Sequence, residues 1–215
     1  MKALLLDLDG TVADSHGLIR KCYHFAIQKH LGKPGTRALW EQCIGLPLDA
    51  VLRFAFDHYG EPLPTERLEV VKQDYRTHME EHCDEISVFP GIPETLEALR
   101  GRGIRLAIVT TKHLGMATSH LKTLHLTHFF EAVITGDMCA HYKPHPDPFL
   151  KALAALNLPP DVAVGIGDSV HDIHSARGAG LHTAAALWGT DDRDALLSAS
   201  PNSLLHQPGD LLGLL

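Results

Sequence analysis

The sequence predicts an α/β fold, a doubly wound parallel sheet with an all-helical cap inserted after its first strand. Three observations lead there. From residue 92 to residue 186, amphipathic helical segments alternate with short apolar runs of strand length, which implies a parallel sheet with helices on both faces. Near the N-terminus, Leu4-Leu5-Leu6 reads as one more buried strand. Roughly ninety residues then pass before the next such run at 104–109, far more than a crossover helix needs.

The first strand is placed at residues 2–8, and Gly10 supplies the backbone freedom to leave it. The insertion is helical by period. Leu18, Ile19, Cys22, Ala26 and Ile27 mark one stripe, Leu48, Val51, Leu52, Phe56 and Tyr59 a second, and Leu68, Val71, Tyr75, His78 and His82 a third. Gly32-Lys33-Pro34-Gly35, Gly45 with Pro47, and Gly60-Glu61-Pro62-Leu63-Pro64 separate them. The cap is thus expected over residues 15–87 and the α/β core over 1–14 and 88–215. After Pro90-Gly91 follow helix 92–100, a turn at Gly101-Arg102-Gly103, strand 104–109, helix 114–124 and strand 132–135. Helix 147–156, strand 162–166, helix 172–179 and strand 182–186 continue the alternation. The C-terminal stretch is less regular, with a loop over 200–208, a short strand at Leu204-Leu205, and Leu211 to Leu215 docked on the core.

The chemistry starts at Asp7 and Asp9. Strand residues alternate in facing, so both acids share one side while Leu6 and Leu8 pack on the other. They stand at a strand's carboxyl end, where open α/β sheets bind ligands. Two carboxylates this close repel each other and demand a cation or a shared proton, and a hard divalent ion such as Mg²⁺ meets the demand most simply.

The other strand ends carry matching groups. Thr110-Thr111-Lys112 offers a hydroxyl and backbone N–H groups suited to phosphate oxygens, although Thr110 equally fits a helix N-cap. Lys143, stiffened by Pro144 and Pro146, can neutralise a phosphate and an aspartate, although a lone Lys-Pro in a loop is usually a solvated charge. Asp168 follows a strand and Asp172 lies one helical turn on, so both can face one cation; helix capping by Asp168, with Asp172 on the dipole, is the alternative. Acids, hydroxyl and amine converging from separate strand ends are improbable as structural accidents.

A formal charge of −7, with no Lys/Arg block, argues against nucleic-acid or anionic-membrane partners. No apolar stretch has the length of a signal peptide or a membrane span, so the expected location is cytoplasmic. Cys22, Cys43, Cys83 and Cys139 are scattered and expected to be reduced. Among 16 histidines, His78-Met79-Glu80-Glu81-His82 spells H-x-x-E-H, a zinc-peptidase pattern; two half-covered imidazoles at a helix packing face is the preferred reading.

Asp7-Leu8-Asp9-Gly10-Thr11, Thr110, Lys143, and Gly167-Asp168-Ser169 with Asp172 stand in the order of the motifs of the haloacid dehalogenase superfamily. Over nearly its whole length the chain resembles the phosphoglycolate-phosphatase-like members with a helical C1-type cap. Gly178-Ala179-Gly180-Leu181 is similar to their helix-to-strand turn, while Thr111 stands where many have asparagine. The resemblance implies a Rossmann-like core and a Mg²⁺-dependent phosphatase in which Asp7 is the nucleophile and Asp9 the general acid and base. Mg²⁺ would be held by Asp7, Asp9 through its backbone carbonyl, Asp168 and Asp172, and substrate by Gly10, Thr110, Thr111 and Lys143. A small phosphorylated metabolite such as 2-phosphoglycolate is the expected substrate, with inorganic pyrophosphate the main competitor and monomer or homodimer both open. A sugar-phosphate mutase and a phospho-receiver-like binding module are the further alternatives, the first disfavoured by Thr11 and the second by the inserted cap. Substrate contacts from the cap are expected around Ile44-Gly45-Leu46-Pro47 and Arg53.

Overall fold

A computed structural model describes residues 1–43, 45–190 and 192–215. β1 (Ala3–Leu6) leads through the two-residue β2 (Ala13–Asp14) into four helices, α1 (His16–Leu31), α2 (Arg37–Glu41), α3 (Leu48–His58) and α4 (Thr65–Glu81). The chain returns through β3 (Ser87–Val88) to α5 (Ile92–Gly101), β4 (Arg105–Val109), α6 (Leu114–Thr123), β5 (Ala132–Ile134) and α7 (Asp147–Ala155). It closes with β6 (Ala163–Gly167), α8 (Val170–Gly178), β7 (His182–Ala186), α9 (Arg193–Ser198) and β8 (Ser203–Leu205), then a 3₁₀ turn over Pro208–Leu214.

The sheet is parallel throughout, in the order β5-β4-β1-β6-β7-β8. β1 is central and apolar on both faces because both are covered. Leu4 and Leu6 pack with Ile92, Leu96, Ile108 and Ile166, whereas Ala3 and Leu5 pack with Ala107, Val109 and Phe149. Strands after β1 are laid first to one side and then to the other, so the order reverses between β1 and β6. The carboxyl ends of these two strands therefore flank the crevice in which such sheets bind ligands. Leu211 is fully buried in the core, and its 3₁₀ turn packs on α5.

Helices α1 to α4 bury a separate apolar cluster that includes Leu18, Tyr23, Ile27, Leu52, Phe56, Leu68, Val71 and Met79. β2 and β3 pair antiparallel through Ala13–Val88 and Asp14–Ser87, so the chain leaves for the helices and returns at one place. Core elements lie within about two residues of their expected ends, ordinary uncertainty at element boundaries.

Several features depart from expectation. The β2–β3 ribbon, α2 and α9 were not expected; α2 and α9 start on side-chain caps from Thr36 and Asp192, but none of the three is long enough to show a period. On α4 the buried stripe is Leu68, Val71, Lys72, Tyr75 and Met79, leaving His78 and His82 half-covered at its edge. Helix α8 is capped by Ser169 rather than Asp168, in a box where Asp172 returns the bond to the Ser169 backbone N–H. Thr110 is not a helix cap either. His113 occupies that position for α6, and Asp137 accepts from the Leu114 N–H instead.

Candidate active site

The crevice is built from strand ends. Asp7 follows β1, Thr110 to Lys112 follow β4, Lys143 reaches in from the loop before α7, and Asp168 follows β6. Gly10 turns the chain after Asp9 with φ +76°, and a Cβ there would collide with the Asp168 carboxylate, so only glycine fits. Thr11 Oγ1 donates to Asp168 Oδ1 at 3.1 Å, and Trp188 Nε1 donates to the Thr11 carbonyl at 3.0 Å, fixing this loop from two sides. Gly189 lies so close to Gly10 that a side chain there would strike its backbone.

Lys143 is 3% exposed, and its ammonium donates to Asp7 Oδ1, to the Val109 carbonyl and to Asp172 Oδ1, each at 2.6 Å. Burial alone would lower the Lys143 pKa, but the charges of Asp172 and Asp7 and their hydrogen bonds more than reverse it, so Lys143 is firmly charged. Asp7, Asp168 and Asp172 each offer a carboxylate oxygen, all three within 4.8 Å of one another. Burial is the main cause that pushes Asp7 up to about 7, with Lys143 opposing and Asp172 and Asp9 adding. Burial, then Asp172 and Asp7, raise Asp168 well above the usual carboxylate range. Three buried carboxylates against one ammonium leave an excess of negative charge, and an all-oxygen donor set suits a hard divalent cation such as Mg²⁺.

Asp9 is handled differently. Lys112 Nζ donates to its Oδ2 at 2.5 Å and Ser15 Oγ donates to its Oδ1. Burial works against ionisation, but the Lys112 and His120 charges and these hydrogen bonds prevail, holding Asp9 at about 2. The Asp9 carboxylate is thus tied to Lys112 and Ser15 and is not among the three acids whose oxygens lie together. Lys112, Ser15, His16, whose Nε2 lies 3.7 Å from Asp168, and Trp188 were not assigned from sequence. Lys112 alone carried a signal, as a cation at the same strand end as Thr110.

A cavity of about 180 Å³ lies over these groups. Its wall includes Asp7, Asp9, Thr111, Lys112, Lys143, Asp168 and Asp172 from the sheet side and Trp40, Gly45 to Asp49, Lys72, Tyr75 and Arg76 from the helices. Thr110 and Gly10 stand behind that wall: Thr110 is 2% exposed, and its hydroxyl accepts from the Lys112 N–H at 3.2 Å. Gly45, Leu46 and Pro47 line the cavity as expected, with Gly45 close against Ser169 and His171; Ile44 lies outside the described residues. Arg53 does not reach the cavity. Its Nη1 donates to the Leu63 carbonyl at 2.8 Å, bracing the loop before α4.

A buried strand-end acid, a fixed ammonium and a cation-ready acid cluster at a sheet's switch point suit a phosphoryl-transfer fold, and residues 4–186 match the family model of haloacid dehalogenase-like hydrolases. The chain belongs to that family and is a hydrolase of its phosphatase kind. It is 33% identical to pyrophosphatase PpaX of Anoxybacillus flavithermus and 32% identical to that of Halalkalibacterium halodurans, each alignment covering 100% of this chain and 97% or 96% of the relative. Among solved structures it superposes on a haloacid dehalogenase-like hydrolase of Streptococcus pneumoniae with TM-score 0.84 and 29% identity, covering 100% and 98% of the two chains. A predicted phosphoglycolate phosphatase of Haemophilus somnus shares the fold, with TM-score 0.90 at 24% identity over 100% and 97%. Among the described residues no helix is long and apolar enough to cross a membrane.

Proposed function

We propose that the protein is a Mg²⁺-dependent phosphatase that hydrolyses a small phosphorylated metabolite through an aspartyl-phosphate on Asp7, with inorganic pyrophosphate ranked ahead of 2-phosphoglycolate. The observation that carries this reading is the Lys143 ammonium held at 2.6 Å from both Asp7 and Asp172, beside Asp168 and at the carboxyl ends of β1, β4 and β6.

An Asp7 oxygen attacks phosphorus while the bond to the leaving oxygen breaks; Asp9, ionised while Lys112 holds it, takes up a proton as the incoming substrate draws Lys112 away and then passes that proton to the leaving oxygen. Water then attacks the aspartyl-phosphate, Asp9 removes its proton, and the phosphorus–Asp7 bond breaks to free phosphate. Lys112 and Ser15 aim the ionised Asp9 for this second step. Lys143, Thr111 and the backbone N–H groups after β4 steady the equatorial oxygens, and Thr110 shapes that turn from behind. Asp7, Asp168, Asp172 and the Asp9 backbone carbonyl would hold Mg²⁺, which when bound offsets the repulsion between a carboxylate and a phosphate. Residues 15–87 act as the cap that closes the cavity and excludes water from the first step.

Pyrophosphate is ranked first because the relatives with 32–33% identity over the whole chain carry that name. The cavity volume of about 180 Å³ suits a small substrate, below the roughly 300–1,000 Å³ of drug-sized sites. The test is phosphate release from pyrophosphate, phosphoglycolate, sugar phosphates and nucleotides, with Mg²⁺ or EDTA, by wild type and Asp7→Asn. Turnover with Mg²⁺, lost in EDTA and in the variant, is the expected result. A folded wild type that releases no phosphate from any substrate would overturn the reading.

A further inference from the structure

The charged groups lining the cavity are almost all paired. Lys143 holds Asp7 and Asp172, Lys112 holds Asp9, His16 faces Asp168, and His113 faces Asp137 at 3.3 Å. On the helical side, Lys72 is neutralised by Asp49 at 2.8 Å and by Glu69 at 2.9 Å. Arg76 is the exception. Among the described residues it lines the cavity with no counter-ion and no hydrogen bond. It sits one turn after Lys72 and next to Tyr75, and all three present from α4 to the same cavity, across from the sheet side that carries Asp7.

An unpaired guanidinium at the wall of a half-closed cavity is a ready receptor for an anion, because its planar fork matches a carboxylate or phosphate with two parallel hydrogen bonds. The transferring phosphoryl group has its own partners below, in Lys143 and the cation that the acid cluster would hold. A second, distal anion has one free cationic partner among the described residues of the wall, and that is Arg76.

We propose that Arg76 is a specificity-determining residue that grips an anionic leaving group, so that preferred substrates carry a second phosphate or a carboxylate a short distance from the reacting phosphorus. This deepens the phosphatase reading and rests on it. Sugar phosphates with neutral distal ends, and aryl phosphates, gain nothing from the contact.

The experiment compares wild type, Arg76→Gln and Arg76→Lys on pyrophosphate, phosphoglycolate and p-nitrophenyl phosphate. The readout is the ratio of kcat/KM for each anionic substrate to that for the aryl phosphate. In Arg76→Gln the ratio is expected to fall about 10- to 100-fold, the size of a charged hydrogen-bonded contact, mainly through KM. Arg76→Lys should recover part of it. A fall on pyrophosphate alone identifies the distal group as phosphate; a fall on both admits carboxylate. Equal losses on all three substrates would overturn the proposal. A second arm does not depend on turnover: calorimetric binding of inorganic pyrophosphate with Mg²⁺ to Asp7→Asn and to Asp7→Asn/Arg76→Gln should show the same loss of affinity. Equal affinities there would also overturn it, whereas absent hydrolysis with intact Arg76-dependent binding would count against the phosphatase reading only.

Discussion

Among the described residues, two groups of side chains could hold a metal ion, and they are built in opposite ways. Asp7, Asp168 and Asp172 come from distant parts of the sequence and are all buried, whereas His78, Glu81 and His82 are neighbours on the last turn of α4 and no more than half-buried. The acid cluster is spelled in two distant segments, Asp7-Leu8-Asp9-Gly10-Thr11 and Gly167-Asp168-Ser169 with Asp172, whereas the histidine group matches one contiguous pattern. Yet the acids crowd together so that the Asp172 charge helps raise Asp7 and Asp168, and Asp7 and Asp172 share one lysine, while the histidines spend their polar atoms locally. His82 Nδ1 lies 2.8 Å from the His78 carbonyl, and the His78 ring stacks on Phe25 at 4.0 Å. Burial and unbalanced charge arise where separate elements converge on one point, and not from a pattern spelled within one helix.

The largest effects should therefore come from the convergent group. Asp7→Asn should abolish turnover, by about 10⁴-fold or more, because the nucleophile is gone while the shape is kept. Steady-state phosphate release measures it, and residual activity within tenfold of wild type would remove Asp7 from that role. Lys143→Met should cost stability as well as rate. It strands Asp7 and Asp172 without their buried counter-ion, a loss of about 3–5 kcal/mol in chemical denaturation without metal. A variant as stable as wild type would mean that the acids relax without the lysine.

The same contrast explains what could be read in the sequence. Apolar runs and helical stripes located the sheet strands and three cap helices because burial on a regular face leaves a period. Asp7 and Asp168 were legible because each follows a strand, and a strand end in a doubly wound sheet has a predictable destination; Lys143 was legible through the prolines that stiffen its loop. Ser15, His16 and Trp188 were not, since their roles depend on the path of loops that carry no period. Arg53 was misjudged for the same reason: helical register places it on α3, but only the packed structure shows it turned to the Leu63 carbonyl. The short β2–β3 ribbon, where the chain enters and leaves the helices, pairs only two residues on each side and cannot signal itself in advance.

A third histidine sharpens the comparison between burial and spelling. His120 on α6 belongs to no motif, is 1% exposed, and has neither ring nitrogen hydrogen-bonded among the described residues. Burial, helped by Lys112 and opposed by Asp9, lowers it to about 4 from 6.5. The folded protein then resists a proton that the unfolded chain accepts, so stability falls as pH drops from 6.5 through 4 and levels off below. Full development of that gap is worth about 3 kcal/mol. Denaturant midpoints from pH 7.5 to 4 should show a shallower acid-side decline in His120→Leu than in wild type, and parallel curves would mean that His120 is already satisfied.

The smallest effect belongs to the group with the clearest spelling. If His78 and His82 are packing residues, the double change to alanine should leave kcat/KM within about twofold and cost about 1 kcal/mol of stability, the size of a lost ring stack. Activity assays with Mg²⁺ and thermal unfolding of the same preparation separate the two outcomes. A drop in turnover comparable to that of Lys143→Met would reverse the comparison, because a half-exposed pair on one helix would then carry as much chemistry as the buried convergence of strand ends.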